Sequence, residues 1–96
     1  MSNNLQKRII LKRLIIQKLI RSNVWGGKHI PLDFTIKGIP EHFRNRHKGK
    51  RIIEKVLKEL IKDRWIIILI KKIGKGTGKH LSLNPKQVNE IKKLFD

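Results

Sequence analysis

Lys48 to His80 reads KGKRIIEKVLKELIKDRWIIILIKKIGKGTGKH. In its first half, apolar residues at Ile52, Ile53, Val56, Leu57, Leu60 and Ile61 keep the i, i+1, i+4, i+5 rhythm of a helix that buries one face. The same periodicity puts Arg51, Lys55, Lys58 and Lys62 on the opposite side. Glu54 and Glu59 flank that basic stripe, each four residues from a lysine (Lys58 and Lys55) able to hold it locally. In the second half, Trp65 to Ile70 is a short apolar run rich in β-branched residues, which predicts a buried strand. It is far too short for a membrane span. His80 to Leu83 alternates as a half-buried strand does. Between the two strands, Lys71 to Lys79 carries four lysines and three glycines, the composition of a flexible hairpin tip.

Working outward, residues 3–22 form an uninterrupted helix-favouring stretch with six basic residues and no acid. Leu5, Ile9, Ile16, Leu19 and Ile20 share one face of its helical wheel and are expected to meet the core. Ile10 and Leu14 point elsewhere, and Leu11 and Ile15 occupy a third side. A helix apolar over more than half its circumference needs more than one packing partner, so Ile10, Leu11, Leu14 and Ile15 are expected to form a homodimer interface. Gly26-Gly27 supplies the next turn, with Trp25 beside it as a lid on the core. His29-Ile30 predicts a short strand against the hairpin, ended or held at an edge by Pro31. Asp33 is the expected N-cap of a short helix from Phe34 to Gly38, and Pro40 starts another turn reaching Asn45. After the hairpin, Asn84-Pro85-Lys86-Gln87 carries the cap, the first-turn proline and the capping-box residue of a last helix. Val88, Ile91, Leu94 and Phe95 form that helix's buried side.

Ninety-six residues permit one domain with a modest core. The net charge of +17, from 24 Lys+Arg against 7 Asp+Glu, opposes compaction unless a polyanion screens it. Nucleic acid is the strongest candidate, ahead of an anionic membrane. Cysteine is absent, which excludes disulfides and thiolate metal sites. The N-terminal stretch is interrupted by Lys7, Arg8, Lys12 and Arg13, so neither a signal peptide nor a membrane span is expected. A cytoplasmic, nucleoid-associated protein follows from these features.

A basic helix leading into a basic two-stranded hairpin resembles the second half of a winged helix-turn-helix domain, as in short archaeal-type winged-helix proteins. The resemblance is one of pattern and order, and with the elements before it covers most of the chain. It implies a small α+β fold in one domain, in the order helix, strand, helix, helix, strand, wing, strand, helix. The long helix would span about 48–63, the wing hairpin about 65–83 and the last helix about 85–95. It also implies a double-stranded DNA-binding protein, a transcription regulator or chromatin-associated protein, with the helix in the major groove and the wing on the backbone or minor groove.

The nucleic-acid-binding candidates come from three places. Arg44, Arg46, Lys48 and Lys50 lie in the turn before the long helix. Arg51, Lys55, Lys58 and Lys62 form its stripe, and Lys71, Lys72, Lys75 and Lys79 belong to the wing. Lys37 to Lys79 holds 14 Lys+Arg against 4 acids, and this agreement lifts the set above an ordinary solvated surface. The alternative is an RNA-binding structural component of a ribonucleoprotein, since winged helices occur there too.

Catalysis finds no footing. Gly74-Lys-Gly-Thr-Gly-Lys-His80 is superficially like a phosphate-binding loop, but Ile73 stands where its first glycine belongs and His80 where Ser or Thr must follow the lysine. His29, His42, His47 and His80 are scattered and have few carboxylates near them, so no metal site is expected. Ser22, Thr77 and Ser82 lack an adjacent base with an orienting acid. The chain is therefore read as a non-enzyme without cofactor.

Overall fold

The computed structural model describes residues 2–44, 47–74 and 76–95. Its elements are α1 (Ser2–Arg21), β1 (Ile30–Pro31), α2 (Leu32–Lys37), α3 (Glu41–Arg44), α4 (His47–Lys62), β2 (Ile66–Ile73), β3 (Gly76–Leu83), a 3-10 turn (Pro85–Gln87) and α5 (Val88–Lys93). The three strands form one antiparallel sheet in the order β1-β3-β2. This is a small α+β architecture, with helices on a short sheet. No helix among the described residues is long and apolar enough to cross a membrane.

The core gathers one stripe from each element. Leu11, Ile15, Ile16 and Leu19 of α1 meet Ile53, Val56, Leu57 and Leu60 of α4, and Ile66, Leu81 and Leu83 of the sheet complete the contact. Ile39 and Phe43 close it at the α2–α3 end, and Ile91 of α5 at the other. The expected phase of α4 is therefore the observed one.

The expected phase of α1 is only partly observed: Ile16 and Leu19 are buried and Ile20 packs against the core as expected. Leu11 and Ile15, assigned to a dimer interface, are buried in the chain's own core, whereas Leu5 and Ile9, assigned to the core, stand about half exposed with Ile10. Leu14 is half-buried. The wheel was degenerate because apolar residues surround it. α4 and the sheet select the Leu11-Ile15-Leu19 side, and the helix starts well before its first fully buried residue, Leu11.

Both long helices end in the same way. Asn23 and Arg64 adopt left-handed backbone, with φ of 54° and 62°. Val24 N then donates to Leu19 O, and Trp65 N to Leu60 O. These are Schellman ends, which satisfy carbonyls the helix leaves open. The end of α4 turns the chain directly into β2.

The hairpin is longer and more regular than expected. Pairing runs from Ile66 opposite Leu83 to Ile73 opposite Gly76, so much of the expected flexible tip is strand. Gly74 is not in the left-handed region; Gly26 is, at φ +63°. The run Ile66–Ile70 is not uniformly buried either: Ile67, on the outer face of edge strand β2, is 37% exposed, and Ile70, on the core-facing side but beyond Ile68 and opposite Lys79, is 67% exposed. On β3, by contrast, Ser82 is fully buried. The loop after α1 lies over it, and Ser82 Oγ donates to Gly26 O at 2.8 Å, while Leu83 N donates to Val24 O at 2.7 Å.

The short strand pairs as expected, with Ile30 opposite Leu81. It runs straight into α2, so Pro31 takes the N-cap position and no side chain caps the helix. Asp33 falls inside the first turn, where its charge still suits the helix dipole. Asn84 caps as expected, accepting from Lys86 N at 3.1 Å, and its Nδ2 donates to Arg64 O at 2.7 Å. The last helix thereby begins as a 3-10 turn tied to the end of α4.

Gly49 sets the crossing of α3 and α4. It is buried in the first turn of α4, and a Cβ there would lie 2.0 Å from Phe43 O. Only glycine lets the two backbones approach this closely. Gly49→Ala should destabilise the fold by about 2–4 kcal/mol, since backbone must move. Gly27→Ala, which meets nothing within 4 Å, should change stability by less than about 0.5 kcal/mol. Urea denaturation followed by circular dichroism compares the two, and equal effects would contradict the close approach.

Candidate nucleic-acid interface

Burial of Ile53, Val56 and Leu60 against α1 and the sheet turns the opposite side of α4 outward. Lys48, Lys50, Arg51, Lys55, Lys58 and Lys62 are all exposed. Arg51, Lys55, Lys58 and Lys62 follow one another along roughly 16 Å of helix at 1.5 Å per residue. Glu54 is exposed among them. Glu59 is not held by Lys55: it pairs with Arg8 of α1, because the packing of α1 on α4 brings a guanidinium within reach.

The register of the hairpin sorts the wing lysines. Ile66, Ile68, Leu81 and Leu83 share the core-facing side, and the two-residue alternation continues that side to Lys72 and Lys79. These two belong to the face that α4 packs on. Lys71 falls on the other face, with His80. The candidate set is thus divided: Lys72 and Lys79 join the α4 stripe, and Lys71 does not. Arg44 lies at the end of α3, its guanidinium 3.9 Å from Glu41. Arg46 and Lys75 lie outside the described residues.

The cations differ in what they already touch. On α1, Arg8 pairs with Glu59, Lys12 stands 4.4 Å over Trp65, Arg13 5.6 Å over Phe95 and Lys18 4.3 Å over Phe34. Four of the helix's six cations are thereby engaged within the chain. Among the described residues, Lys48, Lys50, Arg51, Lys55, Lys58, Lys62, Lys72 and Lys79 have no ion-pair, hydrogen-bond or cation–π partner.

Two features were not legible in the linear pattern. The first is a groove of about 500 Å³ beside the basic stripe. Leu32 and Ile36 of α2, Ile53, Leu57 and Ile61 of α4, and Ile68 of β2 line it. The second is a meeting of two of the supposedly scattered histidines. His29 Nδ1 and His80 Nδ1 are 3.0 Å apart, with the rings edge to face. The antiparallel pairing of Ile30 with Leu81 and Pro31 with His80 sets His29 diagonally across from His80 on the same sheet face, and only that pairing brings the two together. The side chains of His42 and His47 lie outside the described residues. No group of three or more His, Cys, Asp or Glu suited to a metal occurs among the described residues.

Compared with models of known protein families, with curated proteins and with solved structures, the chain matches none.

The His29 imidazole is held below the ordinary value of 6.5, first by desolvation and then by the charges of Lys71 and His80. A lowered folded value means that the unfolded chain takes up the proton first. The contribution of His29 to stability is therefore complete above pH 6.5 and falls away as the pH drops through the lowered value. In an NMR titration, His29 should titrate below 6.5, and Lys71→Gln should move it upward. Titration of His29 at or above the ordinary value in the folded wild type would contradict the pairing.

Proposed function

We propose that the chain is a winged helix-turn-helix domain that binds double-stranded DNA, as a transcription regulator or chromatin-associated protein. One observation carries the reading: among the described residues, the cations of α4 and the inner face of the hairpin lack partners, whereas those of α1 are largely engaged. At a net charge of +17, a surface of unpartnered cations is where phosphate relieves most self-repulsion.

The elements suit this role. Close packing of α3 on α4 at Gly49, a long basic helix and a sheet in the order β1-β3-β2 correspond to the parts of a winged helix. α4 fits a B-form major groove, which admits one helix. Arg51 and Lys55, on its first outward turns, would reach base edges. Lys72 and Lys79 on the hairpin and Lys48 at the helix start would hold phosphates and fix the register. An RNA component of a ribonucleoprotein is the competing assignment. A-form duplexes have a deep, narrow major groove that side chains cannot read, which favours DNA for a protruding helix. Competition between duplex DNA and structured RNA at fixed salt separates the two.

With roughly six to ten phosphates neutralised, log affinity should fall linearly with log salt at about −0.9 per phosphate. Lys72→Ala and Lys79→Ala should weaken all duplexes alike and lower the slope by about 0.9 each. Arg51→Ala should in addition relax sequence preference by about 1–3 kcal/mol. Lys93→Ala on α5 should leave affinity unchanged. A salt slope near zero in fluorescence anisotropy would remove the nucleic-acid reading.

A further inference from the structure

The groove beside α4 has the composition of a ligand site. Its floor is wholly aliphatic, and Arg44, Lys50, Lys58 and Lys79 stand around it against one carboxylate, Glu54. Arg44 Nε is buried without a hydrogen-bond partner. The ion pair of Arg44 with Glu41 is long, at 3.9 Å, to a carboxylate side chain that is 79% exposed, so it does little to satisfy that guanidinium. A volume of about 500 Å³ falls among small-molecule sites, which run from roughly 300 to 1,000 Å³.

We propose that this groove binds a fatty-acyl carboxylate, its chain on the aliphatic floor and its carboxylate at Arg44 and Lys50, and that the bound anion opposes duplex binding. The head group follows from charge: a rim with four cations and one acid selects an anion, and the partly exposed Arg44 guanidinium, held only at 3.9 Å by Glu41, is a donor for it. The tail follows from shape. Leu32, Ile36, Leu57, Ile61 and Ile68 present flexible aliphatic surface with no ring on which a planar ligand could stack. The second half of the proposal rests on the duplex-binding reading, because Lys50, Lys58 and Lys79 are shared. An acyl carboxylate in the groove would neutralise cations that otherwise meet phosphate.

Decanoate, kept below its micelle concentration, is the probe, with acetate holding ionic strength constant and decanol as the uncharged analogue. Isothermal titration of the whole chain should show saturable 1:1 binding. Decanoate should bind more tightly than octanoate, by up to about fourfold for each further methylene buried. Decanol should bind at least tenfold more weakly. Ile61→Asp, at a partly exposed position in the groove wall, and Arg44→Gln should each weaken decanoate tenfold or more. Ile10→Asp, half exposed on α1 and outside the groove, should bind as wild type does. Circular dichroism of each variant confirms that it is folded.

Absence of saturable binding, or equal weakening by Ile61→Asp and Ile10→Asp, overturns the site. In a second arm, decanoate should displace a fluorescent duplex and decanol should not. Decanoate binding with the duplex still held overturns the regulatory half alone. Failure of the duplex to bind without any decanoate overturns that half together with the DNA reading, while the direct titration still judges the groove.

Discussion

Gly49 lies against the backbone of Phe43, at a distance no other residue could tolerate, and the orientation of α4 depends on that approach. With the two backbones in contact, Phe43 is buried beneath the start of α4. The apolar stripe of α4 then meets α1 and the sheet, and the basic stripe faces solvent. A bulkier residue at position 49 would separate the helices and rotate or tilt the basic face relative to the hairpin. The tie from Asn84 to Arg64 O fixes the other end of α4, so the helix is held at both ends.

Charge is distributed with the same economy. The chain has few acids, and three of the six described pair with a cation: Glu59 neutralises Arg8 of α1, and Glu41 and Glu90 each serve a cation one turn away. Aromatic faces take three more α1 cations, an arrangement that lets a very basic helix pack without a matching set of carboxylates. Among the described residues, half of the cations left over are spread over other parts of the surface, and the other half lie on α4 and on one face of the hairpin. The apolar groove lies within that same surface, so a ligand there and a polyanion outside would draw on shared side chains.

Local signals were the most legible in the sequence. The period of α4, the capping chemistry of Asn84-Pro85 and the short strand before Pro31 each depend on residues within a few positions of one another, and each is found where expected. The basic stripe was legible for the same reason. The core side of α1 was not, because its apolar residues cover more than half of the circumference and only α4 and the sheet choose among them. Asp33 looked like a cap, but its placement depends on β1 running into α2 without a break. The groove and the His29–His80 contact join residues far apart in the chain. Both become visible only when β1 pairs with β3 and α2 folds beside α4. Lys71 and Lys72 are adjacent in sequence yet fall on opposite sheet faces, a division that follows from the register alone.

The most direct test is an NMR titration of the isotope-labelled chain with a short DNA duplex, in which amide shifts report contact residue by residue. A duplex read by α4 predicts the largest changes at Arg51, Lys55 and Lys58 and at Lys72 and Lys79 of the hairpin, with α5 little affected. Largest changes along α1 and α5, with the outward face of α4 unmoved, would contradict it.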